Sequence, residues 1–232
     1  MTLDEFNHSG YDGNTHASGP AQTRLTSQLE ITKVTVGPMS NNAYLLRDRA
    51  TGATLLIDAA NEADRLLEVC QGKLDGVLTT HCHADHWLAL EAVVAATGAT
   101  TYAGEAETEF IPTATDVVIR DGDSLAVGDT TLTAVTLTGH RNSYSDHISG
   151  SIALLLRDAD GSTHCFSGDA LFPGGLGNTA EDAAAFEQLL DDVTTKVFDQ
   201  LPDDTWVYPG HGGDTTLGSE RPNLGEWRRR GW

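Results

Sequence analysis

Basic residues are scarce in this chain: 14 Lys and Arg stand against 34 Asp and Glu, a formal charge of -20 over 232 residues. A chain so acidic repels phosphate backbones and anionic lipid, which argues against nucleic acid and membrane surfaces as partners. Cysteine is scarce as well. Cys70, Cys82 and Cys165 are odd in number and lack C-x-x-C spacing, so neither a disulfide framework nor a thiolate zinc cage is indicated, and a reducing cytoplasm fits best. No apolar run approaches the roughly 18 residues needed to span a bilayer. The stretch from Met1 to Gln22 has neither the basic start nor the apolar core of a signal peptide. Rich in Gly, Ser, Asn, Asp and Thr, residues 1–24 are expected as a flexible tail ahead of one domain over 25–232.

What is present is an alternation of β-rich and helical stretches. Leu29 to Val36 alternates apolar and polar, and Ala43 to Leu46 and Thr54 to Ile57 follow as strands after the break at Gly37-Pro38. Glu62 to Cys70 reads as a helix with Asn61 as its N-cap, and Gly76 to Thr80 as a strand. A buried helix over Leu88 to Thr97 is stopped by Gly98. Val117 to Leu137 is strand-rich, with hairpin signals at Asp121-Gly122-Asp123 and Gly128-Asp129. Ser151 to Leu156 and Thr163 to Ser167 read as strands, Asp182 to Phe198 as a helix and Thr205 to Tyr208 as a last strand. Two β-rich halves, each followed by helices, predict an α/β fold, a four-layer αββα sandwich with both sheets central.

The chemistry concentrates in His81-Cys82-His83-Ala84-Asp85-His86, between a predicted strand and a predicted helix. In extended chain, residues two apart point the same way, so His81 and His83 aim at one point. Asp85 and His86 fall where the chain turns, and can serve a neighbouring point. A single histidine is more often an ordinary loop residue. Three with an aspartate in so short a run would leave costly unpaired polar groups unless an ion joins them. Imidazole with carboxylate suits Zn, Fe or Mn.

H-x-H-x-D-H at a strand end resembles the signature of the metallo-β-lactamase superfamily. The chain also offers, in order, Thr138-Gly139-His140, Ser167-Gly168-Asp169-Ala170-Leu171-Phe172 and Tyr208-Pro209-Gly210-His211-Gly212, which resemble that family's later motifs. The resemblance covers about Leu29 to Trp232 and is nearest to small glyoxalase II-like hydrolases. It implies His81, His83 and His140 around one metal ion, Asp85, His86 and His211 around a second, and Asp169 as the bridge. The ions would be zinc first, with iron or manganese as alternatives. Asp85 and Asp169 would be the catalytic carboxylates, and a metal-bound hydroxide the nucleophile.

Departures from that pattern mark a possible substrate pocket. Residues 141–147 intervene after His140, so His147 competes with His140 as a ligand; His140 is preferred because it directly ends a strand. Tyr144 and His147 line the pocket in one reading and a surface loop in the other. Asn178 stands where many relatives carry arginine, which weakens any transfer of their substrate. Nor does the chain show the C-terminal helical domain with which larger glyoxalase II enzymes hold glutathione. Asn41 and Asn42 lie in a loop that approaches the metal face in relatives, although a turn role is the plainer reading. Cys82 is assigned to packing by strand parity, and His164 and Cys165 are read as structural. The basic run Trp227 to Trp232 reads as a tail docked on acidic surface, with an anion clamp as the sharper alternative.

Hydrolysis of a small acyl compound, a thioester first, leads the functional expectations. A mononuclear iron persulfide dioxygenase and an inactive binding protein of the same fold are the alternatives. The expected partner is a small molecule; the sequence is silent on oligomeric state.

Overall fold

The computed structural model describes residues 10–141, 147 and 149–231. Its first sheet runs in the order β1 (Gln22–Leu25), β2 (Leu29–Val36), β3 (Asn41–Asp48), β4 (Thr54–Ile57), β5 (Gly76–Thr79), β6 (Thr100–Gly104) and β7 (Val117–Ile119). The chain is antiparallel through β4, then parallel through β7. The second sheet comprises β8 (Ser124–Val127), β9 (Thr130–Thr138), β10 (Gly150–Arg157), β11 (Thr163–Gly168), β14 (Trp206–Pro209) and β15 (Thr215–Thr216); β12 (Leu171–Phe172) and β13 (Gly175–Leu176) form a small ribbon. Helices α1 (Ala63–Val69) and α2 (Leu90–Thr97) lie in the first half. Helices α3 (Ala183–Val193), α4 (Leu217–Glu220) and α5 (Leu224–Arg230) lie in the second.

Strand parity sorts the side chains into three cores. In β2 to β4, Leu29, Ile31, Tyr44, Leu46, Leu55 and Ile57 face the second sheet, where they meet Leu132, Leu154, Phe166 and Tyr208. The alternate positions Val34, Val36, Leu45 and Leu56 face the other way and pack with Leu66 of α1 and Leu90 and Val93 of α2. On the far side of the second sheet, Val135, Leu155 and Val207 pack with Phe186, Leu189 and Leu190 of α3 and Trp227 of α5. Helices outside and two sheets between make the four-layer αββα sandwich that the element order predicts. Among the described residues no helix is long and apolar enough to cross a membrane.

Several local expectations are corrected. Residues 10–24 are not a loose tail: Tyr11 is buried between the sheets, and Gln22–Leu25 pairs along β2. Asp121-Gly122-Asp123 is not a hairpin, since β7 ends in one sheet and β8 begins in the other. Asp121 accepts the Thr136 amide and Gly122 donates to Ala134, so the turn residues pin the crossover to β9. The cap of α1 is Glu62, in left-handed backbone, rather than Asn61. His86 does not run straight into a helix: Ala84–His86 is a single 3-10 turn, and α2 starts at Leu90. The basic C-terminal run is helical, with Trp227 buried and Arg228 paired to Glu187 and Asp191 of α3 at 2.6 Å each, so it is docked as the plain reading expects.

Candidate metal centre

All seven expected donors converge at the ends of strands. His81 and His83 follow β5, Asp85 and His86 sit on the 3-10 turn, His140 follows β9, Asp169 follows β11 and His211 follows β14. The extended backbone at His83 brings its ring within 4.5 Å of that of His81. Nδ1 of His83 lies 2.9 Å from Nε2 of His81 and 3.0 Å from Nε2 of His140. The ligand atoms of these three residues all lie within 4.8 Å of one another, as do those of Asp85, His86 and His211. Asp169 stands between the two groups, its Oδ2 3.7 Å from His140 Nε2 and 3.5 Å from Nε2 of both His86 and His211.

In His81, His86, His140 and His211 the outward ring nitrogen is already engaged, which fixes what each of these rings presents inward. Nδ1 of His140 donates to the Asn178 carbonyl at 2.8 Å, and Nδ1 of His211 to the Met39 carbonyl at 3.1 Å. Nδ1 of His86 meets Asp58 Oδ2 at 2.8 Å. Asp58 also accepts the amide and hydroxyl of Thr80, at 2.7 and 2.9 Å, and the Thr80 hydroxyl lies 3.0 Å from Nδ1 of His81. Asp58 adopts left-handed backbone at the end of β4, with φ 60°. For a non-glycine residue that conformation is uncommon and tends to mark functional sites.

Charge is arranged unevenly across the cluster. Burial disfavours a cation at His86, yet Asp169 and Asp58 beside it raise its pKa well above the usual histidine value. At His211 burial is likewise outweighed by Asp169 and Asp85, which lift it to about 9. Burial and neighbouring rings hold His81 well below its usual value and His83 at about 4. Burial opposes the Asp169 carboxylate, but the surrounding imidazoles keep its pKa well below the usual carboxylate range.

These residues fit divalent cations on the structure's own terms. With Nδ1–H of His140 given to a carbonyl, its Nε2 is a lone pair facing another imidazole nitrogen. Nε2 of His86 and Oδ1 of Asp169 are buried without a hydrogen-bond partner. Orphaned buried polar atoms of this kind are rare unless an ion or water completes them. Nitrogen and carboxylate donors together suit zinc, iron or manganese.

The remaining expected residues divide. Asn41 belongs to the site: it is buried and its Nδ2 lies 2.8 Å from Asp85 Oδ2 and 3.3 Å from His211 Nε2. Asn42 clamps the loop that carries His211 by donating to the carbonyls of Pro209 and Gly212. His147 does not compete with His140, because its Nε2 lies 3.1 Å from Glu107 instead. Asn178 serves the site through its carbonyl, while its exposed side chain caps the local turn at Ala180. Tyr144 lies outside the described residues. Cys82 is half-buried with its thiol pushed up to about 12 by burial and by Glu107, as suits a packed rather than a reactive cysteine. Sequence reasoning overlooked Asp58, Thr80 and Glu107. Only for Asp58 was there a signal, a carboxylate closing a strand beside the one that carries the histidines.

The family model described as the metallo-beta-lactamase superfamily matches residues 36–211. A hydroxyacylglutathione hydrolase from Fuscovulum blasticum is 31% identical over 82% of this chain and 75% of its own length. Across the first hydroxyacylglutathione hydrolases matched, the chain spans 62% to 75% of their length. Among solved structures, ETHE1 from Myxococcus xanthus is 30% identical with a TM-score of 0.70, covering 87% of each chain. TTHA1623 in a di-iron-bound form is 29% identical with a TM-score of 0.63, covering 82% of this chain and 96% of its own. Motifs, sandwich and family match agree: the chain belongs to the metallo-beta-lactamase superfamily.

Proposed function

We propose that this chain is a metal-dependent hydrolase of a small acyl substrate, a thioester before other acyl compounds. His81, His83 and His140 would hold one divalent cation, Asp85, His86 and His211 a second, and Asp169 would serve both. The observation that carries this reading is the position of Asp169, within 3.5 to 3.7 Å of imidazoles from both groups while its Oδ1 has no partner. Zinc suits these donors, and the di-iron form of a relative keeps iron beside it. When bound, such ions supply Lewis acidity and bring the pKa of water to near neutrality.

The chain's own groups do the rest. Asp85 Oδ2, held by Asn41 Nδ2 at 2.8 Å and 3.3 Å from His211 Nε2, can orient the attacking water beside its role as a donor. A thiolate leaves without a dedicated general acid, since thiols ionise near pKa 8.5. That agrees with the name of the 31% identical relative, a hydroxyacylglutathione hydrolase. The charge of -20 opposes a nucleic-acid substrate, and three unpaired cysteines suit a reducing compartment such as the cytoplasm.

The test is elemental analysis of the purified protein together with thiol release from a panel of acyl thioesters. Two ions per chain, turnover abolished by chelation and a loss of at least a hundredfold in Asp169→Ala are expected. A metal-loaded protein inert on thioesters, lactones and β-lactams would remove the hydrolase reading. One iron per chain with oxygen consumption would replace it with the iron dioxygenase.

A further inference from the structure

A buried carboxylate outside the ligand set joins the two halves of the centre. Glu107, in the turn after β6, has no exposed surface. Its Oε2 accepts at 2.7 Å the amide of Cys82, the residue between His81 and His83. Its Oε1 accepts the Gly150 amide at 2.8 Å, at the start of β10, and lies 3.1 Å from Nε2 of His147. From Gly150 the connection to the third histidine is short. Ser149 donates its amide to the His140 carbonyl at 2.8 Å and accepts that of Gly139 at 3.2 Å. Nearby, Ile152 of β10 donates to the Thr80 carbonyl at 2.9 Å, so the two sheets meet here through backbone as well.

We infer that Glu107 is a positioning residue for one of the two metal positions: it sets the distance between the His81–His83 pair, carried by the first sheet, and His140, carried by the second. The inference rests on the two-metal reading above. A carboxylate is suited to this because it accepts at both oxygens and forms stronger, shorter bonds to amides than a neutral acceptor does. Its place in a turn of its own, on neither ligand-bearing loop, lets it hold both loops at once. Asp85, His86 and His211 have a separate tie between halves in Asn41 and Asn42. Loss of Glu107 therefore acts on one position and spares the other. A purely structural role would move both.

Glu107→Gln tests this, because glutamine keeps the shape but turns an NH2 toward one of the two amides. Zinc titration of the metal-free protein against a chelating dye reads both positions without reference to activity. In Glu107→Gln one binding constant should weaken about 10- to 100-fold, the usual range for partners that orient metal ligands. The other should change by less than about threefold. In a His211→Ala background, which leaves the His81–His83–His140 position, Glu107→Gln should retain its full effect; in a His140→Ala background it should have almost none. Glu107→Asp keeps the charge at shorter reach and should show a smaller loss at the same position, carrying the test if the glutamine variant does not fold. The exposed Glu105→Gln is the control and should bind as wild type. Two unchanged constants, or two that weaken together, would overturn the inference and leave the two-metal reading standing. A wild-type chain that binds no divalent cation would remove both.

Discussion

Oδ2 of Asp58 lies 2.8 Å from Nδ1 of His86, and the same carboxylate holds Thr80, whose hydroxyl meets Nδ1 of His81. One carboxylate thus orients a donor of each proposed metal position, fixing which nitrogen each ring turns inward. Asp58→Asn keeps a residue that tolerates the left-handed backbone while removing the charge. Both binding constants should weaken, each by about 10- to 100-fold in a zinc competition titration. An unchanged constant for either position would show that Asp58 does not reach it.

Lys33 and Asp214 make a fully buried ion pair at 2.6 Å, and its other partners explain why it exists. Lys33 Nζ also donates to the carbonyls of Gly13 and Gly212, and Asp214 accepts from Tyr11 and Trp206. The pair ties the N-terminal segment to the loop that follows His211. Lys33→Met leaves Asp214 buried without its cation, which costs about 3–5 kcal/mol in comparable cases. For a chain of this size that lowers Tm by roughly 6–20 °C. Asp214→Leu added to Lys33→Met should recover part of the loss, because it removes the stranded charge.

Burial holds the His164 imidazole at about 4, with Nδ1 lying 3.1 Å from the Tyr208 hydroxyl. A histidine depressed on folding contributes stability that is complete above its unfolded value near 6.5 and is lost as pH falls toward 4. Asp48 is a carboxylate case. Burial opposes its charge, but hydrogen bonds from Thr130, Thr51 and nearby amides bring it down to about 2. Its contribution is complete above pH about 4 and is lost as pH falls toward 2. Urea midpoints of the metal-free protein should therefore separate the two. The gap between wild type and His164→Gln should narrow from pH 6.5 to 4, and that between wild type and Asp48→Asn only below about pH 4. A gap that stays constant across its window would refute the corresponding assignment.

The convergence of the seven candidate donors was legible in the sequence because each belongs to a short motif at a strand end, where residue type and spacing suffice. The strands were legible too, since alternation in Leu29 to Val36 already divides the two faces. What could not be read depends on contacts across long stretches of chain. Lys33 occupies a position whose parity points between the sheets, and only Asp214, far along the sequence, makes its burial tolerable. Asp58 and Glu107 are single carboxylates whose roles arise when two loops close on them. The switch of β7 and β8 into different sheets follows from where Asp121 and Gly122 find partners on β9, which a local turn signal does not contain.

Two glycines beside Asp169 separate the geometry of the site from the stability of the fold. A Cβ at Gly210 would stand 2.1 Å from Asp169 Oδ1 and 2.9 Å from Cε1 of His86. The obstructed atom is the end of a side chain, so Gly210→Ala can be accommodated by turning the Asp169 carboxylate out of its place between the imidazoles. A Cβ at Gly177 would stand 1.9 Å from the Asp169 carbonyl oxygen, which is backbone and cannot turn away. Gly210→Ala should therefore fold with a Tm within a few degrees of wild type while binding zinc and turning over thioesters at least about 100-fold less well, in line with a displaced ligand. Gly177→Ala should lower Tm itself, by the several degrees that a forced backbone shift of about 1–3 kcal/mol produces. If Gly210→Ala retained both metal and activity, Asp169 could not be the residue on which the two positions depend.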